Sequence, residues 1–255
     1  AGASGTGIAV SDVGAGSQSG AATYTFPVSL PKGRRGIAPN VALRYSSMNR
    51  ESGVLGYGWS LDAGGFVSRM GRRGGVASFD GTDVFSLSLG GVSGELVLDP
   101  SEIREFRTRW DTYLRIRAVD LGTDYVSPGY WEVVATDGTR YTFGDSVLVD
   151  VVRDEGTARL PRAWLLTSIT DTHGNSIAFT YASEIPEVTQ GSVQPPPVGS
   201  STTGRVNQWG LSQSEGTRYL TKIDYVVDAS APGTSGMFSI LFKYEWRPDA
   251  APNYR

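Results

Sequence analysis

The sequence predicts an all-β protein with largely antiparallel sheets built from successive hairpins, sandwich-like or shell-forming, with at most one short helix. The first observation is glycine, with 33 residues in a chain of 255, about twice the usual share. The second is a repeated alternation of apolar and polar residues, which is typical of strands with one buried face. The third is the presence of turn dipeptides such as Asp-Gly between the alternating runs.

Two runs near the N-terminus predict the first paired strands. In "TYTFPVSLP" the apolar face carries Tyr24, Phe26, Val28 and Leu30. Pro27 lies on the opposite face and has no N–H for a neighbouring strand, so this run predicts an edge strand or a bulge. The run "NVALRYSS" repeats the same alternation a few residues later.

The centre and the end of the chain predict further hairpins. The run "YLRIRAVD" turns Ile116 and Ala118 inward and its arginines outward. In "YWEVVATDGTRYTFGD" we expect a hairpin with a type I′ turn at Asp137 and Gly138, because Asp-Gly tolerates positive φ. "LTSITDTHGNSIAFTY" predicts a second hairpin that turns on "THGN", and "RYLTKIDYVVD" with "MFSILFKYEW" predicts a late strand pair.

One segment favours the single short helix. In residues 100–110, "PSEIREFRTRW", the apolar residues Ile103, Phe106 and Trp110 recur at spacings of three and four. Such spacing places side chains on one face of a helix. We therefore expect one or two helical turns here.

Two segments lack any periodicity. Residues 1–20 are rich in Gly, Ser and Ala, and such a composition predicts a flexible lead-in or a segment draped across a sheet. Residues 184–216 contain a triple proline and predict a long Pro-rich loop, in which Trp209 is the residue most suited to contact a partner. Residues 21–255, which include this loop, are expected to form a single β domain.

Composition and charge exclude several classes of protein. The formal net charge is −3, so no global field attracts nucleic acid, and the basic clusters around Arg34 and Arg72 are expected to be solvated turn residues. The absence of Cys excludes disulfides and thiolate metal sites. No apolar run has the ~18 residues of a membrane span. Since the chain does not begin with Met, we expect a piece or a processed product of a longer protein.

The usual catalytic motifs are absent, and the sequence predicts no catalytic, cofactor or metal site. The chain has one histidine, His173, which excludes multi-histidine metal sites and is expected to cap its turn. Asp80 and Asp83 in "FDGTD" would be the acid and base of a hydrolase, but Asp-Gly is common in turns and the turn interpretation is preferred. Aromatic residues mixed with arginine in "RTRWDTYLRIR" would suit sugars or single-stranded nucleic acid, although strand alternation favours a division into core and solvent faces.

The stretch "GVLGYGWSL" predicts a locked structural corner. Its glycines at positions 53, 56 and 58 permit positive φ or close backbone approach. We expect Leu55, Trp59 and Leu61 to anchor this corner in the core, with Tyr57 pointing the other way. A dinucleotide site would need a different glycine spacing and a following helix.

Residues 20–69 resemble the opening of the SpvB-type virulence-protein N-terminal domain, which also begins the B component of insecticidal Tc toxin complexes. The resemblance consists of a "P-x-G-R-x-G" turn, a proline before an "L-x-Y-S-S" strand, and "G-x-L-G-x-G-W-S-L" ending near Arg69. Later stretches, "FDGTDVFSL", "WEVVATDGTRYTFG" and "LFKYEWRPD", resemble the same family more loosely. The signature residues are Pro31, Gly33, Arg34, Gly36, Pro39, Tyr45, Gly56, Gly58, Trp59 and Leu61, and Arg69 closes the pattern.

The resemblance implies a structural role rather than a catalytic one. In toxin complexes such a domain opens a hollow β-sheet shell that RHS repeats continue around a C-terminal effector, and the family places no catalytic residue in it. The expectation is a non-enzymatic module of a large secreted bacterial toxin or RHS-type protein. Its partners would be the remaining shell of the same or a companion chain and other toxin-complex subunits, with no nucleic acid, no membrane span and no cofactor.

A binding module for a glycan or a translocation partner is the alternative function. Aromatic side chains stack on sugar rings, so such a module would use surface aromatics. The sequence candidates are Trp209, Tyr130 and Trp131.

Overall fold

The computed structural model describes residues 13–15, 20–50, 52–53, 55–121, 128–153, 156–182, 218–228 and 237–244. The all-β prediction is confirmed: these residues form antiparallel strands and a single 3-10 turn, Arg34–Gly36. No helix in these ranges has the length and apolar character that a membrane crossing requires. Trp209 and the whole of 184–216 lie outside the described residues.

The chain divides into two units, of which the first comprises Ala1–Lys32 and Ala38–Gly64. Its strands are β1 (Val13–Ala15), β2 (Ala22–Pro27), β3 (Ala42–Ser46), β4 (Ser52–Gly53), β5 (Gly56–Tyr57) and β6 (Trp59–Asp62). Four strands form a sheet in the order β1-β2-β3-β6, and β4 pairs with β5. Pro27 ends β2 beyond the residues that pair with β1, so its missing N–H removes no bond to that strand.

The second unit comprises Gly33–Ile37 and Gly65–Arg255. Its strands are β7 (Gly65–Met70), β8 (Val84–Leu89), β9 (Val92–Leu98), β10 (Glu105–Thr108), β11 (Arg115–Leu121), β12 (Pro128–Val134), β13 (Arg140–Arg153), β14 (Gly156–Thr170), β15 (Asn175–Ala182), β16 (Tyr219–Asp228) and β17 (Phe238–Leu241). Strands β7 to β14 form a closed eight-stranded sheet, because β14 pairs with both β7 and β13. Strands β15, β16 and β17 follow in order as an extension.

The sheet branches at β14. Residues 163–165 of this strand pair with β7, whereas residues 168–170 pair with β15. Both partners lie on the edge opposite β13, which pairs with β14 along nearly its full length. One long strand therefore belongs both to the closed sheet and to the extension.

Alternating side chains fill the interior of the closed sheet. Ile116 and Ala118 are fully buried as predicted, and their neighbours Arg115 and Arg117 are exposed. The largest buried rings are Trp131 and Trp164, whose centroids lie 5.9 Å apart in an edge-to-face arrangement. Phe85 and Phe106 pack on Trp131 at 4.9 and 5.0 Å. These four rings, the aromatic cluster, come from β8, β10, β12 and β14.

The helix expected at residues 100–110 is wrong. Residues 99–104 form consecutive turns, and β10 follows at Glu105–Thr108. Phe106 lies between the half-buried Glu105 and the exposed Arg107, and its ring packs on Phe85 and Trp131. Ile103 is 65% exposed and Trp110 is 82% exposed, so the apolar residues that suggested a helix do not share one buried face.

The type I′ turn expected at Asp137 is also wrong, although its hairpin is confirmed. Only Gly138 has positive φ in this turn, and its N–H donates to the carbonyl oxygen of Ala135 at 2.9 Å. The geometry is that of a type I turn followed by a glycine bulge. Asp137 then acts through its side chain, which accepts a hydrogen bond from the N–H of Thr139 at 2.9 Å.

Candidate functional site

The signature turn, Gly33–Ile37, is closed by its own backbone. The N–H of Gly36 donates to Gly33 O at 3.0 Å, and the N–H of Gly33 donates to Ile37 O at 2.9 Å. A Cβ on Gly33 would lie 2.3 Å from Val226 Cγ2 and 2.6 Å from Ile37 O, so only glycine fits this position. Arg34 is exposed, and Arg35 has a left-handed φ of 55°.

Val226, which faces Gly33, belongs to a bulge in β16. Val227 pairs with Ser176 and Tyr225 pairs with Ile177, which leaves Val226 as the extra residue. Its φ is 64°, a conformation that β-branched residues adopt only under constraint. The signature turn therefore packs against a strained point of the extension.

The signature turn also reaches the turn between β14 and β15. Arg35 Nη1 lies 2.9 Å from His173 Nε2. The backbone N–H of His173 donates to Asp171 Oδ1 at 2.8 Å, and the N–H of Asn175 donates to the same oxygen at 2.9 Å. His173 is thus a turn residue, as expected from sequence, with one additional contact that the sequence did not indicate.

The corner at residues 55–61 depends on its glycines. Gly56 and Gly58 have φ of 102° and 78°, and a Cβ on Gly58 would lie 2.7 Å from the Tyr45 ring. Trp59 is half-buried and packs on Tyr45, with ring centroids 5.4 Å apart.

Three further side chains belong to this corner: Tyr57, Leu55 and Leu61. Tyr57 is 58% exposed, as expected. Leu55 is 37% exposed, which corrects the expectation that it anchors the corner in the core. Leu61 is half-buried and pairs with Leu43. Pro39, also a signature residue, is buried, whereas Pro31 is exposed.

Asp80 and Asp83 occupy separate structural roles. Asp80 is exposed and accepts hydrogen bonds from Thr82 Oγ1 at 2.7 Å and Thr82 N at 2.9 Å. These bonds hold the pKa of Asp80 below its usual value. Asp83 is 2% exposed and accepts from the N–H groups of Ser78 and Phe79 at 2.7 and 2.8 Å. This geometry is that of a capped loop rather than an acid and base pair.

The last signature arginine, Arg69, lies inside the closed sheet. Its side chain is fully buried, and Nη1 lies 3.7 Å from Asp83 Oδ2. The guanidinium faces the rings of Phe79, Phe85 and Trp164, at 5.1, 5.4 and 5.9 Å from their centroids. Sequence reasoning placed Arg69 in the signature but not in the core, because arginine is rarely fully buried unless it is paired.

The surface aromatics differ from those that the sequence suggested. Trp131 is fully buried in the aromatic cluster and Tyr130 is half-buried, so Trp131 cannot stack on a sugar. Instead, Trp110 and Tyr113 are 82% and 77% exposed in the loop between β10 and β11, the aromatic loop (residues 109–114). Both rings belong to the run "RTRWDTYLRIR", whose mixture of aromatic residues and arginine was the available sequence signal.

An open cleft lies near the start of β16. It has a volume of about 400 Å³ and is lined by Gly144, Asp145, Ser146, Leu148, Thr167 and Arg218. Arg218 Nε lies 2.8 Å from Asp145 Oδ1, so these two charged groups of the cleft neutralise each other. In the described part of the chain, no group of three His, Asp or Glu side chains is placed to hold a metal ion.

Several solved structures are similar to this chain in fold. The N-terminal domain of the effector protein SpvB from Salmonella typhimurium strain LT2 matches with a TM-score of 0.58 and 19% identity, over 90% of this chain and 76% of that one. TcdB2-TccC3-TEV matches with a TM-score of 0.62 and 22% identity, over 95% of this chain. The Photorhabdus luminescens Tc holotoxin pore, carrying TccC3-D651A, matches with a TM-score of 0.56 and 20% identity, over 88% of this chain.

The chain spans only 12% of the TcdB2-TccC3-TEV chain and 10% of the holotoxin chain. No curated protein matches its sequence significantly. The sequence model of one family, described as Salmonella virulence plasmid 65kDa B protein, matches residues 16–254. The protein therefore belongs to the SpvB family.

Proposed function

We propose that this chain is a non-enzymatic structural module of a large secreted bacterial toxin or RHS-type protein. It forms part of a β-sheet shell that encloses or presents a C-terminal effector. The observation that carries the proposal is the branched sheet, in which eight strands close and three continue outward to β17. We also propose that residues 21–255 act as one module, with 1–20 as its lead-in and 184–216 as a Pro-rich excursion.

The outer strand β17 is suited to continue the sheet. On its inner side Ile240 pairs with Ile223, and Phe238 stacks on Tyr225 with centroids 5.1 Å apart. Within the described ranges no strand pairs with its outer edge. An open edge presents backbone groups to a further strand, and the partner we propose is the remaining shell, from this or a companion chain.

The roles of the polar residues support a non-enzymatic module. The aspartates that suggested a hydrolase bind loop backbone or the buried Arg69. His173 donates its backbone N–H to the Asp171 carboxylate that caps the turn, and its ring contacts Arg35. Each of these groups already has a structural task.

The test is assembly of the intact toxin. Leu241 is 64% exposed on β17 and Val152 is 77% exposed in the β13–β14 hairpin, so Val152→Lys is a matched control for Leu241→Lys. We expect Leu241→Lys to weaken assembly and make the effector segment accessible to protease, whereas Val152→Lys leaves both unchanged. An assembled shell with a protected effector in both variants would contradict the proposal.

A second candidate function, glycan binding, is favoured by the aromatic loop. Thr108 Oγ1 donates to Trp110 O at 2.7 Å, and the Tyr113 N–H donates to Asp111 Oδ1 at 2.8 Å. Tyr113 is held at a φ of 57°. Two rings that a fixed loop displays to solvent form a platform on which pyranose rings can stack.

A glycan array with the whole chain tests this second function. Trp110→Ala and Tyr113→Ala should each abolish saturable binding, and Tyr57→Ala, which removes an exposed ring elsewhere, should not. Trp209→Ala, the change suggested by sequence, is included for comparison. Absence of binding by the wild type, or binding that survives loss of both rings, would exclude this function.

A further inference from the structure

The only histidine of the chain faces an arginine. Arg35 Nη1 lies 2.9 Å from His173 Nε2, and the sequence has no other histidine. A guanidinium carries donors and no acceptor, so Nε2 must accept the hydrogen bond through its lone pair. The contact therefore requires an imidazole that carries no proton on Nε2.

Protonation of Nε2 would convert this attraction into repulsion. The ring would then present an N–H to the Arg35 N–H groups, and two positive charges would face each other. Histidine is the side chain that ordinarily changes charge between pH 5 and 8. Arginine keeps its proton throughout this range, so Arg35 and its neighbour Arg34 cannot relieve the repulsion.

The carboxylates near His173 keep their charge over the same range. Burial raises the pKa of Asp171, but hydrogen bonds from Asn175 and from the N–H of His173 outweigh it and hold that pKa below its usual value. Asp137 lies on the neighbouring turn, where a Cβ on Gly138 would touch Thr172. The backbone N–H of Thr139 lowers the pKa of Asp137. These two carboxylates therefore do not account for a change of charge between pH 5 and 8.

The contact restrains a strained segment. Arg35 and Val226 both have left-handed φ, 55° and 64°, and Gly33 packs directly on Val226. Such conformations persist only where surrounding contacts maintain them. Loss of the Arg35 contact should therefore increase local opening of Gly33–Ile37.

We propose that Arg35 and His173 form a proton-sensitive latch, which holds the signature turn on the β14–β15 turn at neutral pH and releases it in acid. The latch is a property of the second unit, since both residues belong to it. It does not depend on the proposed shell function. Both side chains are exposed, so we expect a local effect. The equilibrium constant for local opening of Gly33–Ile37 should rise about three- to ten-fold.

Hydrogen exchange at the amides of Gly33, Gly36 and Ile37 tests the latch, with rates corrected for intrinsic exchange at each pH. In the wild type, opening should increase about three- to ten-fold between pH 7.5 and pH 5.5. His173→Gln is the matched control, because the Gln oxygen can accept from Arg35 and does not titrate. Arg35→Ala should be equally open at both pH values.

Two results would overturn the latch. One is wild-type opening that is the same at both pH values. The other is a pH dependence that persists in His173→Gln, which would assign it to another group. Exchange of the fully buried Trp131 amide, measured in the same samples, reports global stability and should show no comparable change.

Discussion

Asp80 and Asp83 show at the scale of single residues how position decides a side chain's role. They are three residues apart, yet Asp80 is exposed and Asp83 is 2% exposed opposite the buried Arg69. Removing one partner of a buried ion pair leaves a charge without its counter-charge and costs about 3–5 kcal/mol. We therefore expect Asp83→Ala to lower the free energy of unfolding by about that amount, measured by urea denaturation.

Asp80→Ala is the matched control for that substitution. Among the described residues, Asp80 bonds to Thr82 of its own turn, so we expect a small shift of the urea midpoint. Equal midpoints for the two variants would mean that the Arg69–Asp83 pair contributes little.

Gly58 is a second residue whose position decides its role, because its positive φ and its close neighbours both disfavour a side chain. Its φ is 78°, and a Cβ would lie 2.7 Å from Tyr45 Cε2 and 3.1 Å from Ser46 O. Gly20 in the same unit also has positive φ, 64°, with nothing within 4 Å. We expect Gly20→Ala to cost about 1 kcal/mol from backbone strain alone. Gly58→Ala should cost about 2–4 kcal/mol because overpacking is added.

Urea denaturation of the two glycine variants separates strain from steric overlap. A cost for Gly58→Ala no larger than that for Gly20→Ala would show that the Tyr45 ring moves aside without loss of stability.

The sequence predicted the corner correctly at Gly56 and Gly58. It did not reveal that Trp59 is only half-buried, because burial depends on strands that pair with β6 from elsewhere in the chain.

At the scale of elements, local signals predicted the hairpins well and the helix badly. Strand alternation and Gly138 are local features, and the structure pairs β12 with β13 as expected. The spacing of Ile103, Phe106 and Trp110 fits a helix, but it also fits a turn followed by a short strand, and only Phe106 found a buried partner. The exposure of both rings of the aromatic loop was not predicted, because strand alternation favoured a division of its side chains into core and solvent faces.

The carboxylate that caps the β12–β13 turn should make the stability of the fold depend on pH in acid. The Thr139 N–H lowers the pKa of Asp137 in the folded chain, so the charged carboxylate stabilises the fold above the unfolded pKa near 3.9. That stabilisation is lost as the pH falls through the lower, folded pKa. Asp137→Asn keeps an acceptor for Thr139 but has no charge. Its thermal midpoint should lie below that of the wild type at pH 7 and 5, and the difference should shrink below pH of about 4.

Thermal unfolding by circular dichroism at pH 7, 5, 3 and 2 measures this difference. Asp80→Asn provides a second variant of the same kind, because the Thr82 hydroxyl lowers the pKa of Asp80 in the same way. A difference that stays constant down to pH 2 would show that the charge of the carboxylate does not contribute.

At the scale of the molecule, closure of the sheet was the feature least visible in the sequence. It depends on pairs such as Ala163 with Ser68 and Trp164 with Val67, which join strands nearly a hundred residues apart. No turn or alternation specifies such a pairing. The expectation of a sandwich or a shell left the arrangement open, whereas the family signature at residues 20–69 correctly identified the relatives.

A closed sheet has no edge from which strands can separate one by one. Trp131 lies at its centre, fully buried against Phe85, Phe106 and Trp164. We expect Trp131→Ala to lower the free energy of unfolding by about 3–5 kcal/mol. Because the rings come from four strands, hydrogen exchange should accelerate in β8, β10, β12 and β14 together.

Trp110→Ala, which removes a ring that is 82% exposed, should accelerate exchange only in its own loop. Acceleration confined to β12 in Trp131→Ala would mean that the closed sheet does not unfold as one cooperative unit.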